Sequence, residues 1–367
     1  MKIYLLNAYL LIKNNIFSPI AINMRRLRSG ICGIHSICFG LLLLLLNNSY
    51  AKGQELLWKA GFNGFFDNRE YFNAYVEPQT MFGSHMFAYA GFSLNESQAI
   101  YGGLDFLYEF GAKVNRESVK PILFFNFSKE YIDLRMGAFP RKYLIELPLF
   151  LQSDTISYYR PNLEGIYLNL RRSWGSHNVW LDWTSRQTDI DREIFQLGGS
   201  GEAKYEHFFY GHDFIMTHFA GPAIDIPGDH IRDNGGLFAR IGINLSDFFF
   251  DSLSISTGYC FSYDRLRNVY DLRFSHGSLT QLYIELYGFA IRTSHYFGDG
   301  QVQLTGDGLY GAPSYQRFDL DWLIFRRKNV KGRIELSLHL VEDVLDFSQS
   351  FTIYADLGNE RKSLTYR

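Results

Sequence analysis

A two-residue alternation of apolar and polar side chains runs through nearly the whole chain after residue 51 and restricts the fold more than any other feature. In residues 237–245, Leu, Ala, Ile, Ile and Leu alternate with Phe, Arg, Gly and Asn. The segments 132–137, 166–171 and 334–340 repeat the pattern. Because successive side chains of a β-strand point to opposite faces, this period indicates strands, and no helical period competes with it.

Turn-forming residues separate these segments at hairpin spacing. The predicted turns lie at 94–97, 128–130, 174–177, 233–236, 297–300, 329–332 and 358–359. The composition agrees, since 33 Gly, 25 Tyr and 33 Phe against only 9 Pro are typical of many strands joined by short turns. The sequence therefore predicts an all-β, antiparallel, up-and-down arrangement of about 16 strands, within a range of about 14 to 18.

Many alternating segments are about 9 to 12 residues long, the length that a tilted strand needs to cross a bilayer. In a transmembrane β-barrel the apolar face meets lipid and the polar face lines the lumen, so the alternation predicts this fold. Aromatic residues near the segment ends suit the girdles at the two membrane surfaces. The residues expected to line the lumen are Asp105, Glu109, Asp133, Arg135, Arg171, Asp182, Arg240, Glu285, Asp319, Asp321 and Glu335.

The first 51 residues differ from the rest because they contain five basic and no acidic side chains. From Met24 a basic head precedes an apolar stretch that ends in six leucines, and Ala51 follows a short polar segment. This order is typical of a secretory signal peptide. We therefore expect residues 1–51 to be an over-extended start plus a signal peptide that begins at Met24 and is cleaved after Ala51. Residues 52–367 are expected to form a single outer-membrane β-barrel domain.

Removal of this leader leaves 31 basic and 38 acidic groups, so the mature chain is acidic and nucleic acid is not an expected partner. Only Cys260 remains of the three cysteines, which excludes an internal disulfide. The expected location is the bacterial outer membrane. The expected partners are its lipid, the outer-membrane assembly machinery and small hydrophilic solutes, and assembly as a homo-oligomer stays open.

Two stretches resemble known outer-membrane proteins. Residues 64–71, with Gln79, Thr80 and Gly83, resemble the first hairpin of uncharacterised Bacteroidetes-type outer-membrane β-barrel proteins. Residues 135–140 and 160–165 resemble the strand-loop-strand region of porin-like barrels of the anion-selective type. Together they cover under a fifth of the chain, and they imply a porin-like barrel.

Histidines at positions 207, 212 and 218 form the main candidate metal site, because imidazole is a common metal ligand. Along a strand, however, His207 and His212 point to opposite faces, so loop or rim histidines are the better interpretation. The sequence therefore predicts no metal and no cofactor.

Two Ser/His pairs are available for hydrolysis, Ser278 near His276 and Ser337 near His339. Residues two apart on a strand share a face, but neither pair supplies a third, orienting group. The glycine-rich run at 198–201 lacks the strand-to-helix context of a nucleophile elbow and is interpreted as a hairpin turn. We therefore expect that the protein is not an enzyme.

The function predicted from these features is a porin-like channel for passive diffusion of small hydrophilic solutes or ions. Acidic groups outnumber basic ones on the predicted lumen face, which favours weak cation preference, whereas the resemblance to anion-selective porins implies the opposite. The alternative is a non-conducting barrel with a structural, receptor or adhesin role. Residues 141–162 are too long for a tight turn, and either they form a loop folded into the lumen or residues 144–151 form another strand.

Overall fold

The structure is a computed structural model that describes residues 55–115, 118–224, 226, 228–246 and 249–360. The predicted leader and its cleavage position lie outside these residues. Within the described chain, no helix has the length and apolar character needed to cross a membrane.

Sixteen antiparallel strands form one closed barrel in which each strand pairs with its neighbours in sequence and the first pairs with the last. The strands are β1 (Leu56–Glu70), β2 (Gln79–Ser93), β3 (Gln98–Glu109), β4 (Val119–Lys129), β5 (Ile132–Pro140), β6 (Asn162–Arg172), β7 (Gly175–Ser185), β8 (Ile194–Tyr205), β9 (Phe208–Phe219), β10 (Arg232–Asn244), β11 (Ser252–Leu266), β12 (Tyr270–Leu286), β13 (Phe289–Gly298), β14 (Ser314–Arg327), β15 (Val330–Val341) and β16 (Val344–Gly358). Closure removes both sheet edges, so every strand finds hydrogen-bonding partners on both sides. The predicted fold class and strand number are confirmed.

The outer wall is apolar and the inner wall is polar, the reverse of a soluble sandwich. In β15, Leu336 and Leu338 are about half exposed on the outer wall, whereas Ser337 and His339 between them are buried inside. Leucines that face outwards without protein neighbours need a hydrocarbon environment. This arrangement is why the alternation is so regular.

The connections differ sharply between the two ends of the barrel. Five two-residue turns lie at the end that also holds the start of β1 and the end of β16, at 130–131, 173–174, 206–207, 287–288 and 328–329. The longest connections lie at the opposite end, at 71–78, 110–118, 141–161, 186–193, 220–231 and 299–313. In bacterial outer-membrane barrels the short turns face the periplasm and the long loops face outwards.

Two predicted turns are wrong. Residues 233–236 continue β10, and the glycine-rich run at 198–201 continues β8. A Cβ atom on Gly198 would come within 2.3 Å of the Trp180 ring, and one on Gly201 within 2.4 Å of the His212 ring. These glycines therefore mark places where a large neighbouring side chain crosses the strand, which is a packing requirement and not a turn.

The connection at 141–161, called here the inward loop, folds into the barrel and contains a short helix, α1 (Ile156–Tyr159). Its apolar side packs on β10 and on the connection 299–313, since the Phe150 ring centroid lies 5.7 Å from Phe238 and 5.9 Å from Tyr310. Of the two alternatives left open by the sequence, the structure has the loop. Phe150 and Leu151 are completely buried, so this segment packs like a core and not like a solvated connection.

The opposite side of the inward loop contacts the β1–β4 wall through aromatic and polar groups. The Tyr158 ring stacks on Phe65 at 4.3 Å between centroids, and the Tyr159 hydroxyl donates to Glu109 at 3.1 Å. The connection at 299–313 lies beside the inward loop, where Ser153 N–H donates to the Thr305 carbonyl at 2.8 Å. The inward loop thus reaches from one wall of the barrel to the other.

Candidate active site

A polar cavity of about 160 Å³ lies between the inward loop and the inner wall formed by β1 and β14–β16. The inward loop supplies Asp154 and Tyr158, and the wall supplies hydroxyl and charged groups on alternate strand positions. The remaining lining residues are Asp67, Arg69, Tyr71, Arg317, Arg333, Glu335, Ser337, Ser348, Ser350 and Thr352. The cavity thus combines hydroxyl groups, carboxylates and guanidinium groups in one enclosed space.

A serine, a histidine and a tyrosine are linked by hydrogen bonds at this cavity. The Ser348 Oγ lies 2.9 Å from His339 Nε2, and His339 Nδ1 lies 2.7 Å from the Tyr315 hydroxyl. His339 and Tyr315 are buried, whereas Ser348 is half-buried and lines the cavity. When Nε2 accepts the Ser348 proton, Nδ1 carries the ring proton and donates it to the Tyr315 oxygen.

Three strands position this group. Tyr315, His339 and Ser348 lie on β14, β15 and β16, and all three occupy positions of the inward-facing register. Ser348 pairs directly with Ser337, two residues before His339, so the histidine ring bridges neighbouring strands. The ring is held by packing as well, since the Tyr71 ring meets it edge-on at 5.4 Å between centroids.

Two arginines, the buried Arg317 and the partly buried Arg69, bring positive charge to the same cavity. The Arg69 Nη2 lies 2.8 Å from Asp67 and 2.9 Å from Asp154. The Arg317 side chain pairs with Asp319 at 2.6 Å and Glu335 at 3.1 Å. These carboxylates fix the direction of each guanidinium, as expected for groups that are kept charged away from bulk water.

His85 faces the same inner wall but is held by other contacts. Its Nδ1 lies 3.2 Å from Asp105, and its Nε2 meets the carbonyl oxygen of Tyr158. Both ring nitrogens are therefore occupied by groups that anchor α1 to β2 and β3. His85 has a structural role here, whereas His339 has a serine hydroxyl as its neighbour.

The structure places the eleven predicted lumen residues in the inward-facing register. Most of them form ion pairs or hydrogen bonds and do not extend freely into an aqueous lumen. Asp133 pairs with Arg171, and Arg240 pairs with Asp213. Glu109 and Asp182 contact the inward loop, through Tyr159 and Arg141 respectively.

The structure does not bring His207, His212 and His218 together. His207 lies in the turn before β9, His212 contacts His177 at 3.0 Å, and His218 contacts Asp233 at 2.7 Å. Among the residues that the structure describes, no group of three or more His, Cys, Asp or Glu side chains could hold a metal ion.

The two Ser/His pairs identified in the sequence behave differently. His276 and Ser278 share the outer wall, but His276 Nδ1 contacts the Tyr259 hydroxyl and Ser278 donates to the Phe297 carbonyl oxygen at 3.5 Å. His339 does bond a serine, but the partner is Ser348 and not Ser337. Ser348 and Tyr315 were not predicted from the sequence because their contacts cross between strands. The one available signal was the run of inward-facing polar residues around His339.

The expectation that the chain is not an enzyme rested on the lack of a third, orienting group beside either Ser/His pair. In the closed sheet the neighbouring strand β14 supplies such a group to His339, the Tyr315 hydroxyl.

Solved outer-membrane proteins share the fold at very low sequence identity. The chain is similar to OmpTdeltaL8, a loop L8 deletion mutant of OmpT of Vibrio cholerae, with 8% identity, a TM-score of 0.54, and coverage of 83% of this chain and 100% of the other. It is also similar to the anion-selective porin from Comamonas acidovorans, with 8% identity, a TM-score of 0.52, and coverage of 83% and 99%. No curated protein matches the chain.

These likenesses confirm the fold, a closed β-barrel of the outer-membrane type. The family model described as Lipid A 3'-O-deacylase-type matches residues 49–367. Since that description names an enzyme activity, the expectation that the chain is not an enzyme is wrong, and the chain belongs to the Lipid A 3'-O-deacylase-type family.

Proposed function

We propose that this protein is an outer-membrane hydrolase that removes an ester-linked acyl chain from a lipid of the lipid A type. The observation that carries the proposal is the hydrogen-bonded group Ser348–His339–Tyr315 at the edge of the inner cavity. A nucleophile bonded to a base that is oriented by a third group is the arrangement that acyl transfer requires. The family description supports the same class of reaction.

The chemistry follows from the positions of these groups. Ser348 Oγ attacks the ester carbonyl carbon while its proton passes to His339 Nε2. The negative charge that develops on the carbonyl oxygen is stabilised by the fixed guanidinium groups of Arg69 and Arg317, which line the same cavity. His339 then gives its proton to the leaving alkoxide, and water releases the acyl group from Ser348 in a second step.

The size of the cavity limits what enters it. A volume of about 160 Å³ accommodates the ester and the first carbons of an acyl chain, but not a whole lipid. The sugar part must therefore remain at the outer end of the barrel. There the connection 71–78 is held to the wall, since Phe72 N–H and the Asn73 side chain both donate to Asp346.

The test uses the purified barrel in lipid vesicles that contain lipid A with a 3'-O-linked acyl chain. Mass spectrometry should detect lipid A that has lost one acyl chain, together with the free fatty acid. Ser348→Ala should abolish the product, whereas Ser275→Ala, which alters a buried inner-wall serine outside the cavity, should retain it. Product formation by Ser348→Ala at the wild-type rate would refute the assignment of Ser348. Loss of activity in Ser278→Ala alone would move the site to the outer wall.

A second candidate function is the passage of small hydrophilic solutes or ions, as predicted from the sequence. The specific observation in its favour is the charged inner wall, where Arg333 is more than half exposed and faces the lumen below the inward loop. Conductance across a planar bilayer with a salt gradient tests this function, and the absence of any current from folded protein would exclude it. Because the inward loop occupies the lumen, the barrel lacks the wide pore of an unobstructed barrel.

A further inference from the structure

Seven uncharged polar side chains form one continuous patch on the outer wall of β11–β14. The register places Thr257, Thr280, His295 and Gln316 directly opposite one another on four successive strands. Tyr259, Ser278 and His276 continue the patch towards the outer end of β11 and β12. All seven side chains are exposed, so no other part of the described chain covers them.

The surroundings of this outer-wall patch are apolar. On one side Thr257 is opposite Ile241, and on the other Gln316 is opposite Leu340. The next outward-facing row contains Ile255 and Leu282. The patch is therefore a local departure from the apolar wall, about 20 Å wide across four strands.

The depth of the patch in the membrane determines which part of the lipid surrounds it. Thr280 and His295 each lie six residues from the strand ends at the 287–288 turn, at Leu286 and Phe289. With a rise of about 3.4 Å per residue and a tilt of about 40°, they stand about 15 Å above this turn. The apolar band of such a barrel is about 25 Å tall. These side chains therefore lie within the hydrocarbon region, where acyl chains offer no hydrogen bonds.

Only part of the hydrogen-bonding capacity is used within the patch. Thr257 and Thr280 share one hydrogen bond of 2.9 Å, and Tyr259 and His276 share one of 2.5 Å. The Gln316 amide and the His295 ring each provide a donor and an acceptor on the outer surface. Polar groups in hydrocarbon are costly unless they find partners.

We propose that this patch is a self-association surface, on which a second copy of the chain packs through the same β11–β14 wall. A twofold interface brings each donor of the patch against acceptors of the same patch in the partner, which suits a surface with both kinds of group and no fixed charge. The apolar rows around the patch enlarge the contact towards the area that stable interfaces bury. The proposal goes beyond the hydrolase function and does not depend on it.

The test compares cysteine cross-linking at two outer-wall positions in vesicles with a large excess of lipid, after the native cysteines have been replaced by serine. Thr280→Cys should give a disulfide-linked dimer. The matched control is Leu338→Cys, an outward-facing residue of β15 outside the patch, which should stay monomeric. Equal cross-linking at both positions, or none at Thr280→Cys, would overturn the proposal.

A second variant removes the polar groups without introducing a thiol. His295→Leu combined with Gln316→Leu makes the wall compatible with lipid, so single-molecule subunit counting should show at least a tenfold lower dimer fraction than in the wild type. Heat-dependent gel mobility verifies that the barrel is folded. An unchanged dimer fraction in the folded variant refutes the assignment of the patch. The proposal would also be refuted if the wild type is monomeric and retains bound lipid A while the double variant does not. That result would assign the patch to lipid binding.

Discussion

Ser348 Oγ on β16 lies 2.9 Å from His339 Nε2 on β15, across the last hairpin of the barrel. The two residues are nine positions apart, and a turn of two residues brings their strands together. The hairpin is short and belongs to a closed sheet, so the serine and the histidine are held by backbone hydrogen bonds on both sides. A rigid scaffold of this kind is well suited to fix a nucleophile and its base.

The Tyr315 hydroxyl is expected to orient His339 without contacting the substrate. Tyr315→Phe removes the partner of His339 Nδ1, so the hydrolysis rate should fall by about tenfold, the value of one hydrogen bond. His339→Gln should cost about 10² to 10⁴-fold, since it removes the base itself. Initial rates on lipid A vesicles measure both effects. Tyr354→Phe is the control, because that inner-wall hydroxyl bonds Asp356 instead of a histidine, and an equal loss in both tyrosine variants would contradict the role of Tyr315.

Phe150 is expected to hold the inward loop in the barrel. Its completely buried ring packs on Phe238 and Tyr310, so Phe150→Ala should destabilise the docked loop by about 3 to 5 kcal/mol. The backbone amides of residues 149–159 should then exchange hydrogen faster, which mass spectrometry measures. Phe72→Ala is a suitable control, since that ring is 71% exposed. Unchanged exchange in Phe150→Ala would mean that other contacts hold the loop.

The ionised form of Asp154 is expected to fasten the inward loop to β1. Burial favours the protonated acid, but the charges of Arg69 and Arg317 outweigh it and hold the pKa of the Asp154 carboxyl below its usual value. A lowered pKa in the folded state means that this group stabilises the docked loop above the unfolded pKa of about 4. The contribution is lost as the pH falls through the lowered pKa.

Hydrogen exchange of residues 149–159, corrected for the intrinsic effect of pH, should therefore rise on acidification below about pH 4. Asp154→Asn should exchange faster at neutral pH and lose this pH dependence. If Asp154→Asn and the wild type respond alike to acid, another carboxylate controls the loop.

The buried pair Arg141–Asp182 is expected to support the base of the inward loop. Arg141 Nη2 lies 2.5 Å from Asp182, and both side chains are almost completely buried. Arg141→Ala leaves Asp182 with the longer contact to Arg160 at 3.4 Å as its one remaining ion pair, beside a hydrogen bond of 3.0 Å from the Glu164 N–H, so unfolding should become easier by about 3 kcal/mol. Denaturant unfolding in detergent measures this change. The double variant Arg141→Ala with Asp182→Ala should recover part of the loss, and a further loss in the double variant would contradict the pairing.

The period of the side chains determined most of the fold. A regular alternation such as Leu336, Ser337, Leu338, His339 assigns each residue to a wall once the strand is known, because a strand has only two faces. The lengths of the segments then required a membrane and a closed barrel. Two turns were misplaced, at 198–201 and 233–236, because glycine in this barrel also makes room for rings from neighbouring strands.

The candidate site depended on the tertiary structure. That Ser348 and not Ser337 bonds His339 follows from the register of β15 and β16, which alternation alone does not specify. That the 141–161 connection fills the lumen depends on Phe150 and Leu151, whose partners are distant in sequence. Local pattern determines which wall a side chain faces, because that depends only on backbone geometry. Which side chains meet inside the barrel depends on closure, register and the path of the loops, and these are properties of the whole chain.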